Sequence, residues 1–457
     1  AYLFASDAGG FGEDGDESII KCGIYNGDDS AKQTINLGWE AQWVLIKKIT
    51  SASSWVLVDV MRGMVIPDGS NNDPSLFPNE AVAEVLYNVA SPSAVGFNLD
   101  SGGAWWNSSS ESYIYMAIRR GPMKIPDDAT KVFQALTYSG NDTFNSGIDP
   151  VVGVQTRTIS SSLGFDVDMS LTKWLSGTSA STSSSLMDRL RGVYYELFTY
   201  SSATENQNSN TGPRFSTRGS RQFDLHNYGV YHLNKNGQSL LSYVFSRAPG
   251  FMDVVCYTGD GASARAVPHG LTVAPEFYVV KSTDNAYDWQ TYSATMGNNY
   301  SLRFNQANGI DVLGTWPYWA NTSPTATAFS VGDSGSPGVV NGNNALYVCY
   351  LFATLAGVSK VGGYTGTGNN LNVDCGFSAG ARFILIKRTD TTGDWYFWDS
   401  VRGITAGNDP YSVLNTTAAQ VTNTDYIDPL SSGFIVTSSA PAGLNANSGN
   451  YIFLAIA

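Results

Sequence analysis

Phe383-Ile384-Leu385-Ile386-Lys387-Arg388, a polar turn over Thr389 to Asp394, then Trp395-Tyr396-Phe397-Trp398-Asp399 and, shortly after, Arg402-Gly403: this run decides how the whole chain is read. Two short apolar stretches separated by turn-forming residues predict a pair of antiparallel strands. Upstream of the pair lies an opener, Tyr364-Thr365-Gly366. Downstream come a Ser/Thr/Asn/Asp-rich crossing, Gly433-Phe434, and a closing run, Tyr451-Ile452-Phe453-Leu454-Ala455-Ile456. The same ordered set recurs, in weaker form, three times before it.

The first copy opens at Tyr25-Asn26-Gly27, pairs Trp43-Val44-Leu45-Ile46-Lys47-Lys48 with Trp55-Val56-Leu57-Val58-Asp59, turns at Arg62-Gly63 and closes with Tyr113 to Ile118. Trp43 to Ile46 is apolar on both alternating faces, which predicts a central strand covered on two sides. The second copy is the most diverged. It opens at Tyr138-Ser139-Gly140, has a weak strand pair between Phe165 and Trp174, a corner at Asp188 to Gly192, and closes with Leu240 to Phe245. Its polar tracts, Ser176 to Ser185 and Ser201 to Thr211, read as long exposed loops. The third copy opens at Tyr257-Thr258-Gly259, has Phe277 to Lys281 and Asp288-Trp289 as its pair, lacks the Arg-Gly corner and closes with Leu346 to Phe352.

The openers lie 113, 119 and 107 residues apart, too long a period for a solenoid and right for small sandwich domains. The expected fold is therefore all-β, a tandem array of β-sandwich domains of jelly-roll or lectin-like type. The copies span 21–127, 128–250, 251–358 and 359–457. Residues 1–20 read as the last strand of a preceding copy plus an acidic linker, because Tyr2-Leu3-Phe4-Ala5 matches Tyr350-Leu351-Phe352-Ala353. That match predicts a gene product extending upstream of Ala1.

Composition agrees with short strands. Of 457 residues 42% are hydrophobic and 12% aromatic, but only 14% are charged, too few for long surface helices. The formal net charge of −13 argues against a nucleic-acid partner, which needs clustered Lys and Arg. No apolar run is long enough for a membrane span, so no membrane insertion is expected. Cys22, Cys256, Cys349 and Cys375 are scattered without metal-site or disulfide spacing and read as reduced core residues. Glu13, Asp14, Asp16 and Glu17 lack the ligand spacing of a calcium loop. No metal and no cofactor is expected.

Catalytic readings fare poorly. Gly332-Asp333-Ser334-Gly335-Ser336-Pro337 is similar to the nucleophile segment of trypsin-like proteases, but none of His226, His232 and His269 sits in the setting that chemistry requires, and a turn feeding a strand explains the segment. The recurring acids Asp59, Asp188 and Asp399 are each followed by an arginine, Arg62, Arg191 and Arg402, and read as structural corner pairs, since a neighbouring guanidinium keeps a carboxylate ionised. The chain is expected to be no enzyme. For ligand binding the candidates are Trp105, Trp106, Trp316, Tyr318 and Trp319, aromatics in Gly/Ser/Asn-rich crossings where flat rings beside polar groups could stack on a sugar; packing against a neighbouring subunit is the competing reading.

The ordered elements (the Tyr-Thr-Gly opener, the Val-Leu-Ile-Lys strand, Trp followed by Asp-x-x-Arg-Gly, and the Tyr-Ile/Val closing strand) resemble those of a family of virion structural proteins of tailed bacteriophages, often labelled tail-fibre-like. The resemblance covers nearly the whole chain, most closely Gly250 to Ala457, and the second copy departs from it. It implies a place on the exterior of the virion in a fibre, spike or baseplate appendage, other virion proteins and a host surface glycan as partners, a homo-oligomer in the particle, and no catalytic residues. A capsid decoration or head-fibre protein, a secreted glycan-binding or glycan-active protein, and a bacterial surface-layer protein are the alternatives.

Overall fold

A computed structural model of the protein describes the chain except residues 1–3, 5, 8, 12–14, 31, 67–72, 101–102, 122–123, 144–146, 150–153, 161, 178–183, 193–194, 208–220, 222, 227–232, 314–316 and 333–337, and the side chains of 147–149, 154–156, 207 and 226. The described residues are almost entirely strands, all of the paired ones within sheets antiparallel. The all-β sandwich expectation is met.

Four main sheets share one order: opening strand, closing strand, central strand, corner strand. In the first unit these are Ile20–Asn26, Ser112–Arg119, Ala41–Lys48 and Trp55–Asp59. In the second they are Phe133–Ser139, Gln238–Phe245, Met169–Gly177 and Ser184–Asp188. The third unit has Met252–Thr258, Leu346–Phe352, Phe277–Ser282 and Gln290–Ser293, the fourth Ser359–Thr365, Asn450–Ile456, Phe383–Arg388 and Trp395–Asp399. A smaller sheet covers one face of each, for instance Gln33–Asn36, Gly96–Leu99 and Ala90–Ser93 in the first unit. Because successive side chains of a strand point to opposite faces, Val44 and Ile46 lie in the first unit's own core while Trp43 and Leu45 point away from it.

The opener is explained by close packing. In each unit the Tyr-x-Gly glycine lies so near the turn before the closing strand that a Cβ on Gly27, Gly140, Gly259 or Gly366 would overlap the carbonyl oxygen of Ser108, Lys235, Gly342 or Ala446 respectively. Only glycine permits that approach. The opener tyrosines stack on the first closing-strand tyrosine in three units, with ring centroids 5.1 Å apart for Tyr25–Tyr113, 5.0 Å for Tyr257–Tyr347 and 4.7 Å for Tyr364–Tyr451.

Units two, three and four also share a core that belongs to none of them alone. The faces of their main sheets turned away from the small sheets meet one another, through Leu171, Leu241, Tyr243 and Phe245 of the second unit, Phe277, Val279, Tyr350 and Phe352 of the third, and Phe383, Leu385, Leu454 and Ile456 of the fourth. These side chains are buried, so the three sheets are covered on both faces, which is why their strands read as continuous apolar runs. The first unit's core is separate.

Three expectations need correction. Trp43 to Ile46 is not covered on two sides: Val44 and Ile46 are fully buried, whereas Trp43 and Leu45 are only half-buried. The second unit's strand pair is not confined to Phe165–Trp174; Met169–Gly177 pairs with Ser184–Asp188. The tract Ser176 to Ser185 is consequently no simple exposed loop, since Ser184 and Ser185 are buried strand residues. Ser185 is held by a hydrogen bond to Glu196 Oε2 at 2.8 Å, so a polar sequence is tolerated where partners are supplied.

Candidate functional site

The corner pairs form in all three units that carry them. Arg62 Nε lies 2.6 Å from Asp59 Oδ2, Arg191 Nε 2.7 Å from Asp188 Oδ2, and Arg402 Nε 2.6 Å from Asp399 Oδ2. Each acid also accepts the backbone N–H of its own arginine, and Gly63, Gly192 and Gly403 take the positive φ that the corner needs. Two of the acids have a further role. Tyr243 of the second unit donates to Asp399 of the fourth at 2.8 Å, and Tyr350 of the third donates to Asp188 of the second at 2.7 Å. Where the series would continue, the fourth unit has Leu454 at the tyrosine position and the third has Ser293 at the acid position. Hydroxyl and carboxylate are present together or absent together.

A second set of residues carries the joints further. Lys47, Lys173, Lys281 and Lys387 occupy one register position, opposite Ile114, Leu241, Val348 and Ile452 of the closing strands. In the three-unit body each lysine is buried and reaches into the next unit. Lys173 Nζ donates to Thr416 O of the fourth unit at 2.6 Å, Lys281 Nζ to Ser202 O of the second at 3.2 Å, and Lys387 Nζ to Ala307 O and Asn308 O of the third at 3.0 and 2.7 Å. Burial pushes all three amines down to about 8. Two residues beyond each lysine, a carbonyl accepts a backbone N–H from the same neighbour: Leu175 O from Gln420, Thr283 O from Glu205, and Thr389 O from Ile310. The contacts run head to tail, second to fourth to third to second, and close after three. Part of the tract Ser201 to Thr211 thus serves as a joint: Ser201 O accepts from Trp289 Nε1 at 2.9 Å as well.

The first unit docks elsewhere, through a buried charge cluster. Arg247 donates to Glu40 at 2.5 and 2.9 Å and to Asp253 at 2.7 Å, while Asp168 accepts from Arg120 at 2.9 Å and Arg189 at 3.2 Å. Burial opposes ionisation of Asp168 and Asp253, but the surrounding arginines hold both below the usual carboxylate range. Clefts of about 290 and 340 Å³ flank this cluster, and a third of about 450 Å³ lies where Lys32, Arg191, Glu205 and Tyr257 meet. Around the first two, Arg247 is tied to Glu40 and Asp253 and Asp168 to Arg120 and Arg189; in the third, Arg191 is paired with Glu205, while Lys32 donates to Thr258 and Asp100 accepts from Ser91. His269, on the first cleft, has its Nε2 3.1 Å from Thr325 O and accepts the N–H of Leu271 at Nδ1, so its ring serves the backbone. Among the described residues no group of three or more His, Cys, Asp or Glu could hold a metal ion. His232, the side chain of His226 and Asp333 to Pro337 lie outside the described residues, as do Glu13 and Asp14.

The aromatic candidates separate. Trp319 is fully buried and donates Nε1 to Tyr300 O at 2.8 Å, and Trp106 is 5% exposed within the first unit's core. Neither offers a ring face to solvent, because each is packed into its unit's own core, and the expectation of exposed platforms is corrected for both. Tyr318 packs, half-buried, against the third unit's core. Trp105 keeps 36% exposure and stands edge-on to Phe77 and Tyr87 at 5.3 and 5.6 Å. Trp316 lies outside the described residues.

Four residues escaped sequence reasoning altogether: Asn107, Asn234, Asn341 and Asn445, all buried. Each binds the opener loop of its own unit; Asn107 Oδ1 accepts from Asp28 N, Asn341 Oδ1 from Asp260 N, and Asn445 Oδ1 from Thr367 N. The signal was available, since each asparagine stands six residues before Tyr113, Leu240, Tyr347 or Tyr451.

The chain belongs to the family described as a domain of unknown function (DUF7483), whose model matches residues 1–122 and 128–457. The interruption falls between the strand ending at Arg119 and the short 3-10 turn Ala129–Lys131. No curated protein matches the chain.

Proposed function

We propose that this is a non-enzymatic structural protein of a bacteriophage virion, an external fibre, spike or baseplate appendage that acts by binding and display. The observation that carries the reading is the use of charge. Acids, lysines and arginines of the kind a catalytic site would employ are instead spent in corner pairs, in the lysine joints and in the Glu40–Arg247–Asp253 cluster. A rigid body built by repeating one sandwich and locking the copies face to face suits a mechanical and displaying role. The resemblance of the ordered repeat elements to tail-fibre-like virion proteins supports the virion assignment, and the net charge of −13 suits an exterior position away from packaged nucleic acid.

Host contact, in this reading, falls to the first unit, where Trp105 and its edge-on partners Phe77 and Tyr87 form the aromatic patch best placed to stack on a glycan. Immunogold labelling of intact particles with an antibody to the purified chain is the test. Label on the tail supports the proposal; label on the capsid shell favours the decoration reading, and no label on particles overturns both. Release of reducing sugar from host polysaccharide by the pure protein would overturn the non-enzymatic part.

A further inference from the structure

The first unit repeats the joint-forming parts of the other three but, among the described residues, joins nothing through them. Its main-sheet face carries Leu45, Leu57, Ile114 and Met116 at register positions that supply the shared core in units two to four, with Ile24 opposite Ile114. Here Ile24 is 64% exposed and Ile114 37%, and the other three are only partly buried. Lys47 stands where Lys173, Lys281 and Lys387 stand, but among the described residues it donates only to the carbonyl of Lys48, at 2.6 Å. Trp55, opposite it, matches Trp289 and Trp395.

The complementary half is present too. In the third and fourth units the loop that grips the neighbour begins just after an asparagine whose side chain accepts the N–H of the corner-strand tryptophan: Asn305 for Trp289 at 3.2 Å and Asn415 for Trp395 at 2.9 Å. Asn79 does the same for Trp55 at 2.7 Å. The loop that follows it, Glu80 to Val82, is exposed, with Val82 at 52% and Glu80 accepting from Ser54 Oγ. The first unit therefore has both a socket and a plug of the head-to-tail joint, and both are open.

We infer that the first unit binds the first units of two further copies of this chain, each inserting its Glu80–Val82 loop beside Lys47 of the next, to give a closed homotrimer. A head-to-tail contact makes a closed ring or an open filament according to its rotation. The same contact closes after three in units two to four, so three is the number expected here. A contiguous exposed apolar face of this kind marks an association surface. The inference is independent of the virion assignment.

Sedimentation equilibrium of the whole chain is the test. The expected mass is three times the 49.0 kDa of one chain. Met116→Glu on the socket face and Val82→Glu on the plug should each return the protein to a single-chain mass with unchanged far-ultraviolet circular dichroism. Because Val82 lies on an exposed loop, its variant folds whatever Met116→Glu does. A wild-type chain that stays monomeric at tens of micromolar, a dimer, or a trimer that survives Val82→Glu would each overturn the inference.

Discussion

The first unit and the three-unit body use the same sheet in opposite ways. Leu45 and Leu385 hold equivalent places on equivalent central strands, paired with Met116 and Leu454. Leu385 is 4% exposed inside a core shared by three sandwiches, whereas Leu45 is only partly buried. The difference shows that a repeat unit here is complete as a sandwich with one face covered, and that its second face is a separate association device. What the lysine, the corner acid and the gripping loop do depends on whether a like unit stands beside them.

The sharpest way to break that contrast is to place one charge on each face. Leu385→Asp buries a carboxylate without a partner and should cost more than about 4 kcal/mol, enough to prevent folding of the three-unit body. Leu45→Asp should change the melting of the monomer by less than about 1 kcal/mol while abolishing self-association. Circular dichroism melts of both variants read the first effect, and sedimentation reads the second.

The docking cluster comes next. Arg247→Met leaves the buried Asp253 without its paired cation and the partly buried Glu40 with Arg120 alone, a loss of about 3 kcal/mol. Asp168 and Asp253 have depressed folded-state pKa values, so their contribution is present above the unfolded value of 3.8 and disappears as pH falls through the folded values. The first unit should therefore separate from the body in acid before the body melts. Limited proteolysis across 120–128 at falling pH would report it, and cleavage that begins only with global unfolding would contradict it.

The lysine joints predict an effect of the same sign in a higher pH window. Their amines titrate at about 8 in the fold against 10.5 in the unfolded chain, so the unfolded state binds more protons across that window and stability rises with pH through it. At 1.36 kcal/mol per pKa unit, each lysine adds about 2 kcal/mol between pH 8 and about 9.5. Denaturant titrations should show the rise, and Lys387→Met should remove about a third of it. A flat profile in the wild type would show that these lysines are hydrated. Within the three-unit body the smallest effect expected is for Tyr243→Phe, which removes one hydrogen bond to Asp399, an acid still held by Arg402; about 1–2 kcal/mol is the expected loss.

Much of the fold was legible because hard constraints recur: a glycine that must touch a backbone carbonyl in all four units, a tyrosine pair in three, and in three an acid and an arginine bent around a positive-φ glycine. The second unit was harder, because Ser184 stands where the third and fourth units have Trp289 and Trp395, and burial of a serine has no apolar signature. The shared core could not be read at all. Apolar alternation at Trp43 and at Phe383 is the same in sequence, and which of the two faces is covered depends on neighbours that no local pattern encodes. Trp106 and Trp319 misled for a related reason: polar surroundings along the chain said nothing of the cores they join in space.

The claim on which the rest depends is that units two to four share one core and open as one body. Native-state hydrogen exchange followed by mass spectrometry tests it most directly. The closing strands Gln238–Phe245, Leu346–Phe352 and Asn450–Ile456 should lose protection together, with a common opening free energy and a common response to denaturant, while Ser112–Arg119 opens separately. Three distinct opening free energies for those three strands would contradict it.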